Sequence, residues 1–205
     1  MFISLRQLLE ARRYGVRRAV DLAQLRVRFA GQPGGGQATV AERELAIRLR
    51  DLKTSLAAAF GDVTACAACA RNCPPPAGRW TGGRCCGTAT SAVFTTEEVR
   101  ALKFGGARAG GLPVPSSVFA GCAFRGPTGC SLEPADRPSA CLVFACDDLR
   151  AELDAKPEGS AVHQLRRDLS STFDRFLSAP SEPPRHDLCC QAEAASLGWR
   201  CGPGA

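Results

Sequence analysis

Residues 39–60 read TVAERELAIRLRDLKTSLAAAF. Leu45, Leu49, Leu52, Leu56 and Phe60 recur at three- and four-residue intervals, which puts them on one side of an α-helix and argues against a strand, whose period is two. Thr39 and Glu42 have the spacing of a capping box, in which each side chain satisfies a free backbone N–H of the first turn. Upstream, the run GQPGGG at residues 31–36 ends a first helix whose apolar stripe reads Leu5, Leu8, Leu9, Val16, Ala19, Val20 and Ala23. The two helices suggest an antiparallel hairpin over residues 1–60 that buries both stripes against the rest of the chain or against a partner. Downstream, residues 157–179 give one more amphipathic helix, with Val162, Leu165, Leu169, Phe173, Phe176 and Leu177 on one face and His163 on the polar side with Arg166 and Arg167.

The chain has 205 residues, enough for one large domain or two small ones, and its 45% hydrophobic and 22% charged residues disfavour wholesale disorder and a coiled-coil rod. Residues 1–60 hold eleven Lys and Arg against five Asp and Glu, so the whole net charge of +6 belongs to this front segment. Acidic residues interspersed with the arginines, and the lack of an aromatic stacking platform, disfavour nucleic acid as the partner. A protein partner or self-association through the N-terminal helices is the expectation. Arg6, Arg12, Arg13, Arg17 and Arg18 interrupt any apolar run near the start, which argues against a secretory leader and a membrane span. A cytoplasmic, reducing setting follows as the expectation.

The outlier is cysteine: twelve, beside two histidines and one methionine, and every one at or after Cys66. The first group is Cys66, Cys69, Cys73, Cys85 and Cys86, in CAACARNCPPPAGRWTGGRCC. A C-x2-C turn points two sulfurs to the same side, which is why it recurs in zinc and iron–sulfur sites. Cys66, Cys69 and Cys73 followed by Pro74 match most of the bacterial ferredoxin run, with Val63 where the leading cysteine should fall. The second group is Cys122, Cys130, Cys141 and Cys146, in GCAFRGPTGCSLEPADRPSACLVFAC. Between them, VFTTEEVRALKFGG reads as a short helix capped by Thr95 and Glu98 and closed by Gly105 and Gly106.

Taken together these motifs resemble the CxxCxxCC, or YkgJ-like, family of zinc- or iron-chelating domains. The resemblance is carried by Cys85 and Cys86, Thr95 or Thr96 with Glu98, Cys122 with Phe124, Gly129 to Leu132, Arg137 with Pro138, and Cys141 with Phe144 and Cys146. It spans about residues 66–150. The family's opening cysteines lie directly against the double cysteine, whereas here fifteen residues separate Cys69 from Cys85, so either an insertion leaves the site intact or Cys73 replaces one ligand. The resemblance implies a metal or iron–sulfur domain, and the similar cysteine pattern of flagellin lysine methylases favours iron–sulfur.

Nine cysteines interleaved with Gly and Pro leave this segment little apolar surface of its own, so ligation would stabilise its fold. Thiolate-only ligation suits zinc or iron–sulfur and disfavours magnesium and calcium. Disulfides are the alternative if the chain is exported. Arg137 with Pro138 reads in two ways: Pro in the first turn of a helix running toward Cys146 and Leu153, or a guanidinium hydrogen-bonded to cluster sulfur or an acidic ligand. In the tail, His186, Cys189, Cys190 and Cys201 are candidates for a second metal site. Glu97 with Glu98 and Asp147 with Asp148 fall at helix starts, where acidic residues suit the dipole, and carry no catalytic expectation. No phosphate loop, dinucleotide fingerprint or nucleophile elbow is present, and Gly105 to Gly111 reads as a mobile loop.

The expected architecture is mainly α with irregular loops: a basic helical hairpin (1–60), a metal-organised cysteine-cluster domain (61–156), a closing helix (157–179) and a Pro- and Cys-containing tail (180–205). The expected function is binding an iron–sulfur cluster, of the four-iron type, for electron transfer or as an accessory subunit. A zinc-stabilised interaction module docking through its N-terminal helices is the rival, and a cluster-dependent methyl-transfer enzyme the third reading.

Overall fold

The computed structural model describes residues 4–34, 37–61, 63–66, 89–108, 112, 121–126 and 129–179. It is mainly helical. Helix α1 (Leu5–Tyr14) opens on a capping box formed by Ser4 and Gln7. Gly15, at φ 83°, then turns the chain into α2 (Val16–Gly31), so the first predicted helix is two helices folded against each other. Only glycine enters that left-handed region without strain. Helix α3 (Val40–Phe60) begins with both halves of the predicted Thr39–Glu42 box.

Short helices α4 (Thr90–Val93) and α5 (Thr96–Phe104) follow, the second capped by Thr95, whose hydroxyl accepts from the Glu98 N–H at 3.2 Å. A two-residue antiparallel ribbon pairs β1 (Arg125–Gly126) with β2 (Gly129–Cys130), setting Arg125 opposite Cys130. A 3-10 turn (Pro134–Asp136), α6 (Ser139–Val143), α7 (Asp147–Asp154) and α8 (Gly159–Ser178) complete the described chain. Among the described residues no helix is long and apolar enough to cross a membrane.

Two hydrophobic cores share α5 as a wall. The larger one joins α3 to α8, with Leu49, Leu52, Leu56 and Phe60 against Val162, Leu169 and Phe176, and takes Ala101 and Phe104 from α5. This is the predicted α3 stripe, and the predicted α8 stripe meets it with Leu165 and Phe173 at the margin and Leu177 exposed. The smaller core gathers Leu25 and Phe29 of α2, Phe94, Val99 and Leu102, and the hairpin residues Cys122, Phe124 and Leu132. The two long N-terminal helices therefore have their main contacts elsewhere than on one another: α3 on α8, α2 on α1, α4 and α5.

The predicted apolar stripe of the first helix does not face inward. Leu5, Leu8, Leu9, Val16 and Val20 are all at least half exposed, and of that set only Ala19 is buried. Helix α2 instead buries Arg18, Asp21, Leu22, Leu25 and Phe29. The reason is what it lies on: the turns at residues 89–94 and 121–123 present unpaired backbone groups, and a polar side chain satisfies these where a leucine cannot. Gly105 closes its helix as expected. It ends α5 tightly against α3, where a Cβ would lie 3.2 Å from the Ala46 carbonyl oxygen, and its own carbonyl accepts from Arg50 at 2.8 Å. Residues 109–111 of the loop predicted from Gly105 to Gly111 lie outside the described residues.

A candidate cysteine site around the hairpin

Cys122 enters the β1–β2 ribbon and is 7% exposed, packed in the smaller core. Burial pushes its thiol up to about 11 and the nearby Cys130 adds to the rise, while the Phe124 backbone, the Thr90 hydroxyl and Arg18 pull the other way. The environment thus disfavours a lone thiolate but already directs three compensating groups toward that sulfur.

Those groups are set by α2. The Asp21 carboxylate accepts from the N–H of Thr90 at 2.9 Å and of Ser91 at 2.7 Å, supplying the cap that Ala89 cannot give to α4. Arg18 donates to the Gly121 carbonyl at 2.5 Å and lies 3.6 Å from Asp21; burial lowers its guanidinium from the ordinary value while Asp21 and Cys122 offset this. Thr90 in turn accepts from the Ala123 N–H at 2.8 Å. One helical turn of α2 therefore ties the start of α4 to the segment bearing Cys122. Arg28 extends the same seam, donating to the carbonyls of Ser91 and Phe94.

Cys66 reaches the hairpin from a separate stretch of the chain. The Glu152 carboxylate on α7 accepts from the N–H groups of Thr64 and Ala65, both at 2.7 Å, and these bonds hold it below the usual carboxylate range. This clamps the chain just before Cys66 to α7, whose N-cap is Cys146. At the hairpin tip, a Cβ on Gly129 would stand 3.9 Å from the Cys66 Cβ. Gly129 also has φ 129°, so both its conformation and its neighbour call for glycine.

Cys141 and Cys146, both half-buried, flank the junction between α6 and α7. Arg166 of α8 braces that junction by donating Nε to the Val143 carbonyl at 2.9 Å, with a second bond from the same guanidinium. The sequence places one helix running from Pro138 toward Leu153; the structure breaks it at Phe144–Cys146, and Pro138 is the N-cap of α6 rather than a first-turn residue. Arg137 donates Nε to the Leu132 carbonyl at 3.0 Å, which fixes the turn after β2.

The structure thus brings Cys66, Cys122 and Cys130 around one hairpin, with Cys141 and Cys146 at the α6–α7 junction. Among the described residues no three His, Cys, Asp or Glu side chains form a group ready to hold a metal ion. Cys69, Cys73, Cys85 and Cys86, and the tail set His186, Cys189, Cys190 and Cys201, lie outside the described residues. His163, placed on the polar side of its helix as expected, contacts Asp154 at 2.7 Å.

Sequence reasoning missed the polar groups that organise the site. Arg18 and Asp21 sit off the apolar stripe and read as solvated charges; their three-residue spacing is the one signal that they act as a pair. A second hidden feature is a buried ion pair between the cores: Lys53 Nζ lies 2.5 Å from Glu98 Oε1, which also accepts from the Ser139 hydroxyl at 3.2 Å. Glu98 at a helix start looked like a dipole partner, yet its carboxylate is turned inward.

No protein-family model, curated protein sequence or solved structure matches the chain.

Proposed function

We propose that this chain is a thiolate metal-binding protein that carries an iron–sulfur cluster of the four-iron type, serving electron transfer or an accessory role in a larger assembly. The observation that supports this reading is the placement of Cys66 beside the hairpin that carries Cys122 and Cys130, although it lies more than fifty residues upstream of them. A buried thiol with a raised pKa is inert as a nucleophile, whereas a metal can take the place of its proton, and ligation then stabilises the fold. Cys66, Cys69, Cys73, Cys85, Cys86, Cys122, Cys130, Cys141 and Cys146 form the ligand pool. Their all-sulfur chemistry fits iron–sulfur or zinc and no oxygen-seeking cation. A bound cluster would supply one-electron redox chemistry; the chain's own residues would hold it and shield it from water.

The test is anaerobic purification with iron, acid-labile sulfide and zinc quantified per chain. Iron with stoichiometric sulfide, lost in Cys122→Ala and Cys130→Ala, is the expected result. Zinc without sulfide would replace this reading with the zinc-stabilised interaction module. A folded, metal-free protein would overturn both.

A further inference from the structure

We infer that helix α1 is a docking face for an anionic lipid surface. The proposal concerns a part of the molecule remote from the cysteines and holds whichever metal they bind. Three observations carry it. Leu5, Leu8 and Leu9 form a ridge on α1 with 74%, 55% and 59% of their surface open, while the half-buried residues of the helix are Gln7, Glu10, Ala11 and Tyr14. An isolated amphipathic helix folding onto its own protein would do the reverse, so this one is oriented for something outside it.

Second, the exposed charge around the ridge has one sign. Arg6, Arg12, Arg13 and Arg17 are exposed, whereas the two carboxylates of residues 4–31 are turned inward: Glu10 pairs with Arg26 and Arg6, and Asp21 is buried against Thr90 and Ser91. A second copy of the same face would set arginine against arginine. Anionic headgroups complement it.

Third, the face has little that could fix a register. The Ser4 and Gln7 side chains are committed to the helix cap and Glu10 to its arginines, leaving leucines and arginines alone to meet the outside. Protein partners are distinguished by pockets and directed hydrogen bonds, while a headgroup layer asks only for apolar depth and positive charge.

The experiment is co-sedimentation of the full chain with vesicles of phosphatidylcholine, with and without about one third phosphatidylglycerol, alongside its mass in solution by light scattering. Binding to the anionic vesicles alone is expected, weakening as salt is raised. The triple variant Leu5→Ser, Leu8→Ser, Leu9→Ser should lose about tenfold or more in affinity. Arg12→Gln with Arg13→Gln should lose about tenfold. Both should keep the wild-type helical circular dichroism and melting temperature, because the substituted side chains are exposed. No binding, equal binding to neutral vesicles, or unchanged binding by the triple variant would overturn the proposal. So would a wild-type dimer that the triple variant converts to monomer, which would make the occupant a second copy.

Discussion

Helices α2 and α3 lie in the same basic segment and each buries two charged side chains beside its apolar ones, yet α3 satisfies them with its own cap and the Glu98 carboxylate, whereas α2 uses them on distant backbone groups. Helix α3 buries the stripe its periodicity announces, Leu49, Leu52, Leu56 and Phe60, because its partner α8 is another regular helix with no backbone groups to satisfy. Helix α2 buries Leu22, Leu25 and Phe29 but exposes Val16, Val20 and Val27, and it buries Arg18 and Asp21 because the Gly121 carbonyl and the Thr90 and Ser91 N–H groups beside it need partners. Hydrophobic periodicity tells which face is buried when helix meets helix. It misses the part of a face that meets a helix start or a turn, where satisfying a buried amide outweighs burying one more methyl group.

The largest test of this contrast lies at Lys53, which α3 buries along with Glu42. Glu98→Ala would leave the ammonium in the core without its carboxylate and should cost about 3–5 kcal/mol in urea unfolding, whereas Lys53→Met combined with Glu98→Leu should recover most of that loss. A single substitution that is tolerated would mean the pair is not closed off from water.

Next in size is Asp21→Ala, which removes the acceptor for two backbone amides and the partner of Arg18; about 2–4 kcal/mol is expected. Hydrogen exchange at Thr90 and Ser91 should accelerate with it. On the same helix, Val20→Ser should change stability by less than about 0.5 kcal/mol. If the valine proves costlier than the aspartate, the comparison between the two helices collapses.

A third test uses pH on metal-free protein. The folded Cys122 thiol is raised from 9.0 to about 11, so the folded state favours the protonated form. Its contribution is fully present below pH 9.0 and is lost as pH rises toward 11, a change of about 3 kcal/mol at most. Cys122→Ser should flatten that part of the stability–pH curve. The smallest expected effect is Thr39→Ala, which opens the capping box of α3 and should cost about 1 kcal/mol by thermal melting.

How much could be read from the sequence follows the same division. The α3, α5 and α8 helices, their stripes and both threonine caps were legible, since caps and periodicity are local signals. The break at Gly15 was not, because one glycine within a helical pattern is compatible with either a turn or a continuous helix. At the candidate site, the cysteines themselves announce thiol chemistry. The side chains that hold them, Arg18, Asp21, Thr90, Glu152 and Arg166, act on backbone groups far away in the sequence, and no spacing rule encodes such pairs.

The seam made by α2 also bears on how the protein is born. Arg18 waits for a carbonyl 103 residues downstream and Asp21 for an amide 69 residues downstream, so during synthesis the helix leaves the ribosome long before its buried charges have anything to bind. Nascent chains that stop short of Gly121 should expose the Arg17–Arg18 region to trypsin, whereas the finished protein should resist cleavage after Arg18. Equal resistance in the two would mean that α2 is secured early by α1 alone. Otherwise α2 is synthesised well ahead of the groups its buried charges bind, and it stays open to proteolysis in the interval.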